Sequence, residues 1–339
     1  SVVIAVAPAI GPTVSGLILS TLTWHAIFWV MLPIALIALG LGAVWVKNVT
    51  TTRPDARFDL LSVPLSAFGF GGLIYGFSAI GESASGHTPV PVWIPLAVGA
   101  ASLVLFVLRQ LHLQKTDSAL LDLRTFQTPA FSLAIVLVVI VFMALFGSII
   151  LLPIYLQQVL GLDVLGVGLV LLPGGILMGA MAPFVGNAFD RFGPTPLVIP
   201  GMLLAAAALW GMTFFGPDTG VAFVIAVHLT LSLGLGLTFT PLMTSALGSL
   251  PRRFYPYGSA TVGTLQQVAG AAGTAVFVAI MTVVTAGAVA DGSNEVIAKA
   301  DGIHAAFLVG AIVATAAVAL ALFVRKPAEG DVDLPAAAH

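Results

Sequence analysis

The chain has 339 residues, of which 59% are hydrophobic and 8% charged, with a net charge of −2 and no cysteine. So little polar surface cannot coat a water-soluble globule of this length, which excludes a soluble enzyme or binding domain and points to a polytopic membrane protein. The absence of cysteine also excludes disulfides, thiolate metal sites and cysteine nucleophiles.

Apolar runs follow one another at residues 1–20, 27–46, 58–80, 91–111, 130–155, 164–186, 195–215, 221–241, 258–286 and 304–324. Most approach the ~20 residues that a helix needs to cross the hydrocarbon core. A transmembrane β-barrel needs alternating segments of about ten residues, and stretches such as Ala134 to Leu145 are apolar on both faces. The reading is therefore all-α, with about 10 transmembrane helices. If the chain crosses at every run, Lys47, Arg53, Arg57, Arg109, Lys115, Arg124, Arg191, Arg252, Arg253, Arg325 and Lys326 collect on one face, and only Lys299 on the other. The positive-inside rule makes the basic face cytoplasmic, in a bacterial plasma (inner) membrane, with the C-terminus on that side. The first run has no basic segment before it and does not read as a cleavable signal peptide; an even number of spans could precede Ser1.

The longer connections are a cytoplasmic one from Leu111 to Pro129 and an outer one from Gly287 to Gly302. Glu82 and His87 fall in another outer connection, where solvated side chains are the plain reading. The tail, with Glu329, Asp331 and Asp333 among Ala and Pro, is expected to be disordered.

Within the runs, the informative residues are those that cost something to place in hydrocarbon. Pro8, Pro12 and Gly16 recur on one face of the first helix beside Gly11 and Ser15. Each proline removes a backbone hydrogen bond, and the glycines permit a close neighbour, so a bent and tightly packed helix is expected. Gln157 and Gln158 sit near an outer helix end, and Gln266 and Gln267 lie deeper. Thr264, Gln267, Ala271 and Thr274 share a helical face beside Gly263, Gly270 and Gly273, so Gln267 either lines a cavity or bonds another helix. Tyr155 is a further cavity candidate. His228 is the ionisable group well inside a span, and is either a proton site or a neutral ring bonded to a carbonyl.

The segment Ala7-Pro8-Ala9-Ile10-Gly11-Pro12-Thr13-Val14-Ser15-Gly16 resembles the antiporter motif in the fifth helix of drug:proton antiporters of the major facilitator superfamily. Trp24-His25-Ala26-Ile27-Phe28, ending Leu32-Pro33-Ile34, is similar to the entry to the sixth helix of the fourteen-span branch, with His25 and Met31 in place of the usual Arg and Asn. Leu151-Leu152-Pro153-Ile154-Tyr155-Leu156-Gln157, Leu171-Leu172-Pro173-Gly174 and Gln266-Gln267-Val268-Ala269-Gly270 resemble the same branch. Gly186-Asn187-Ala188-Phe189-Asp190-Arg191-Phe192-Gly193 is similar to the superfamily's cytoplasmic loop motif, with Pro194 and Thr195 replacing the basic residues that usually follow. An Asp beside an Arg at a helix end can hold a cytoplasmic gate that breaks when the two halves rock.

The resemblance implies a major facilitator fold in which helices five to fourteen are present. Residues 1–46 would be the last two helices of an N-terminal bundle, 47–111 an inserted pair, 112–129 a cytoplasmic linker, 130–325 a complete six-helix C-terminal bundle and 326–339 a disordered tail. It implies multidrug efflux by alternating access, exchanging lipophilic or cationic small molecules for protons. The coupling carboxylate would lie in the first four helices, so these residues alone are not expected to transport. A carrier of another small solute, or a ten-span membrane subunit that does not transport, also fits the residues. No metalloprotease, Walker or dinucleotide motif is present, so no cofactor, no metal, no catalytic residue and no nucleic-acid partner is expected.

Overall fold

In a computed structural model of the protein, the residues described are 11, 14–46, 59–84, 90–116 and 118–324. Pro8, Pro12, His87, the cations Lys47, Arg53, Arg57, Arg325 and Lys326, and the tail 326–339 lie outside them. The helices, in order, are α1 (14–21), α2 (His25–Trp45), α3 (Ser62–Ala84), α4 (Trp93–Leu113), α5 (Pro129–Gln158), α6 (Val164–Phe192), α7 (Thr195–Met212), α8 (Val221–Gly248), α9 (Tyr255–Ala290) and α10 (Glu295–Ala321). Among the described residues, 9 helices are long and apolar enough to cross a membrane. The fold is a polytopic helical bundle.

Local signals set the helix ends. Pro129 opens α5, where a missing N–H costs nothing. Asp163 accepts from the Gly166 amide at the start of α6, and Asn294 accepts from Val296 at the start of α10. Gly193, at φ 77°, closes α6 in a conformation that a side chain disfavours.

Small residues set how closely the helices approach. Water is not available to drive helix association in lipid, so packing contact has to do it, and glycine lets backbones meet. A Cβ on Gly72 of α3 would lie 2.8 Å from the Cα of Gly99 on α4, and one on Gly99 would lie 2.6 Å from the Leu73 amide. Gly234 of α8 meets the Ala205 amide of α7 in the same way, and Gly273 of α9 meets the backbone of Met143 on α5. The core lies where α5, α7, α8 and α10 converge, around Phe131, Tyr155, Leu209, Leu242 and Phe307. The α3–α4 hairpin packs through α3 on α9. α1 touches α6 through Gly16, whose Cβ would stand 3.0 Å from the Val164 carbonyl oxygen. α2 buries none of its residues.

Hydrogen bonds and ion pairs sort the two ends of the bundle. At one end Arg109 donates to both carboxylate oxygens of Asp59 (2.7 and 2.5 Å), and Ser62 also donates to Asp59. Gln110, fully buried, donates to Ser62 Oγ (2.6 Å) and accepts from the Leu121 amide (3.0 Å), tying the linker to α4. In that linker Arg124 pairs with Asp122 (2.6 Å) and stacks over Phe254, which also carries Arg253. Thr195 donates to the Val324 carbonyl (2.9 Å), which brings the start of α7 and the end of α10 to the same end. At the opposite end Tyr155 reaches Gly216, and His304 Nδ1 lies 2.6 Å from the Thr213 carbonyl oxygen. Arg109, Arg124 and Arg253 thus share one end, as the alternation of runs predicts.

Arg109, followed by Ser62, holds the Asp59 carboxyl well below the usual carboxylate range. Because the folded value is depressed, this group's stabilisation is fully present above about pH 4 and is lost as the pH falls below that. Asp59→Asn should therefore lower the melting temperature of the detergent-solubilised protein at pH 7 and flatten its decline below pH 4, read by thermal melts across that range. Asp122 is also lowered: burial opposes it, but the bonds and charge of Arg124, with Arg253, prevail.

Several expectations need correction. The outer connection 287–302 shrinks to 291–294, because α9 runs on to Ala290 and α10 starts at Glu295; Lys299 and Asp301 are helical. Glu82 lies in the last turn of α3. Gly186, Asp190 and Arg191 are not in a loop but in the last turns of α6. All have one cause: hydropathy stops at the first charges, whereas a helix of 36 residues such as α9 spans about 54 Å and projects beyond a ~30 Å hydrocarbon core.

Candidate functional site

A cleft of about 780 Å³ separates α3 from α9. The α9 wall is Gln267, Gly270, Ala271, Thr274, Val278 and Thr282, spaced as one helical face. The facing wall is Ile74, Ser78, Gly81 and Glu82 of α3, and Phe146 of α5 forms the floor. Gly270 makes room for that floor, since a Cβ there would lie 2.9 Å from the Phe146 ring. The volume falls within the range of small-molecule sites, and the lining is mainly apolar with a few hydroxyls, one amide and one carboxylate. Such a surface can hold a lipophilic molecule by dispersion and orient it with few polar contacts.

The neighbouring glutamines divide their roles. Gln267 is exposed to the cleft, whereas Gln266 turns to α8, with its Nε2 2.8 Å from Met243 Sδ. Thr274 lines the cleft; Thr264, on the same face, is exposed but lies outside the lining. Tyr155 is not in the lining of this cleft. It is fully buried, stacks on Phe215 at 4.9 Å and donates to the Gly216 carbonyl (2.9 Å), so it ties the end of α5 to the end of α7. Tyr155→Phe should cost about 1 kcal/mol by leaving that carbonyl without its donor, read as a lower melting temperature with ligand binding in the cleft unchanged.

His228 sits between α8 and α6. Its ring lies over Gly174, where a Cβ would come within 2.5 Å of Nε2, and it bonds the backbone of Leu171, while Nδ1 is buried without a partner. That is the seat of a packed ring in a glycine notch, and His228 is not in the α3–α9 cleft lining. Of the antiporter-motif residues, Gly16 is buried against α6, and a Cβ on Gly11 would meet nothing within 4 Å. Asp190 and Arg191 are exposed at the end of α6, with the Arg191 guanidinium 5.1 Å above the Phe192 ring; among the described residues Asp190 makes no ion pair. Among the described residues no group of three metal-ligating side chains occurs.

The chemistry-bearing residues that the sequence reading missed are those of the far wall, Ser78 and Glu82, together with Phe146. Ile74, Ser78, Gly81 and Glu82 do form a helical stripe in the sequence, but only the packing of α3 on α9 turns that stripe toward Gln267.

Residues 1–274 match the Major Facilitator Superfamily. The chain belongs to that superfamily. It is 45% identical over 332 residues, covering 96% of this chain, to the lincomycin resistance protein LmrB of Listeria monocytogenes, and spans 69% of that protein. It is 45% identical over 280 residues, 82% of this chain and 57% of the relative, to LmrB of Bacillus subtilis. To the multidrug resistance protein B homolog of Mycobacterium tuberculosis it is 32% identical over 283 residues, 81% of this chain and 51% of the relative. As a major facilitator protein it is a multi-pass membrane transporter rather than an enzyme.

Proposed function

We propose that this chain forms part of a multidrug efflux transporter of the fourteen-span drug:proton antiporter branch, corresponding to its last ten helices, and that it exports lipophilic or cationic small molecules from bacteria by alternating access. The observation that carries the reading is the α3–α9 cleft, large, mainly apolar and sparing in polar groups. Such a surface favours polyspecific recognition over tight selection of one sugar or amino acid, whose hydroxyls and charges need a dense set of partners. The relatives named for lincomycin and multidrug resistance support the same cargo class.

In this reading Gln267 and Thr274 orient cargo, Gly16 lets α1 slide on α6, and Asp190 and Arg191 contribute to the cytoplasmic gate, closed by Gly193. The grouping of Arg109, Arg124 and Arg253 supports a cytoplasmic placement of that end and of the C-terminus. Proton entry, and a membrane potential worth ~2.3 kcal/mol per charge per 100 mV, would drive export. Expression of the full-length native protein in a pump-deficient bacterium tests this: resistance to lincomycin and to cationic dyes should rise, and unchanged resistance to both, with uptake of a sugar or amino acid instead, would overturn it.

A further inference from the structure

The wall of the cleft contributed by α3 carries the one ionisable side chain of its lining, Glu82. Glu82 lies in the last turn of α3 with its side chain exposed at the cleft wall, open to a bound molecule. Glu82 makes no ion pair with any described residue. It is also held in place: Gly81 presses α3 onto α9, since a Cβ there would be 3.3 Å from the Cα of Ala279, so the next residue is fixed at the cleft wall. Around it Ser78, Thr274 and Thr282 supply neutral oxygens, and Ile74, Phe146 and Val278 supply apolar area. Among the described residues no cation stands in the lining. The surface is thus complementary to a molecule with an apolar body and one positive charge, the charge directed to the α3 end away from Arg109.

The geometry points to Glu82 as the residue that selects cationic over neutral cargo, which makes α3 a working wall of the substrate site. This rests on the reading of the cleft as the cargo site. Along α9 the lining runs from Gln267 to Thr282, about 22 Å at 1.5 Å per residue. A cation is therefore drawn to one end of a long site, while the apolar body contacts the remainder. Glu82 contributes charge recognition, and Gln267 with Phe146 contributes recognition of the body.

The test is equilibrium binding of two probes of similar shape to the purified protein in phosphatidylcholine nanodiscs: the cation tetraphenylphosphonium and the uncharged triphenylphosphine oxide. Glu82→Gln should weaken the cation by roughly tenfold, the size of one charge contact at an effective dielectric between water and protein interior, and leave the neutral probe unchanged. Glu82→Asp should keep most of the cation affinity, and thermal melts should show both variants folded. If the wild type binds both probes and Glu82→Gln changes neither, or weakens both equally, the assignment of Glu82 is overturned while the cleft stands. If the wild type binds neither probe, the cargo-site reading fails, and this inference fails with it.

Discussion

Gly273→Leu is expected to abolish the folded protein, whereas Gly287→Leu, on the same helix, should be nearly silent. The side chain at 273 would be built into the backbone of Met143, with the Cβ 2.6 Å from its Cα and 2.7 Å from its carbonyl oxygen. Backbone cannot rotate aside as a side chain can, so α5 and α9 must separate along a contact that continues through Gly147, where a Cβ would lie 2.7 Å from the Phe277 ring, and Gly270 under Phe146. Overpacking of this kind costs about 3 kcal/mol or more, which is much of the stability of an ordinary domain. A Cβ at Gly287 meets nothing within 4 Å. Size-exclusion profiles of fluorescent fusions should show aggregation or degradation for Gly273→Leu and a wild-type peak for Gly287→Leu. Similar profiles for the pair would mean that α5 and α9 are not in backbone contact.

Gln267→Leu should leave the fold intact and cut efflux of the affected compounds by roughly 10- to 100-fold, the effect of losing one hydrogen bond made to cargo in a desolvated site, about 1–3 kcal/mol. Gln267 is exposed and lines the cleft, and among the described residues its amide has no hydrogen-bond partner, so its loss has no structural cost to add. Gln266→Leu is the matched comparison, because that side chain meets Met243. It should change the melting temperature more than the drug profile. Minimum inhibitory concentrations over a panel of compounds separate the two: the Gln267 variant should shift the order of preferred drugs, and the Gln266 variant should scale all of them together.

The sequence discloses the helices well and their limits poorly. The nine apolar runs from 27–46 onward each correspond to a described helix long enough to span, because hydrocarbon demands about twenty apolar residues whatever the tertiary packing; most of the first run, 1–20, lies outside the described residues. The start of α10 at Glu295 was hidden by Lys299 and Asp301, which are tolerated in a helix that emerges into the interface. The α9 wall of the cleft was legible for a similar reason: Gln267, Ala271 and Thr274 share a face by helical geometry alone. The opposite wall was not, since nothing within α3 says that it packs on α9 rather than facing lipid. Tyr155 misled in the other direction. Its polar group suggested a cavity, but the hydroxyl is satisfied by Gly216, a residue 61 positions away that only the fold brings near.

Proton-coupled drug export is tested most directly by uptake of tetraphenylphosphonium into everted membrane vesicles containing the native protein, energised to acidify their interior. The account predicts uptake that rises with the pH gradient and collapses on adding a protonophore. Uptake that persists unchanged without the gradient, or a gradient that drives none, would contradict it.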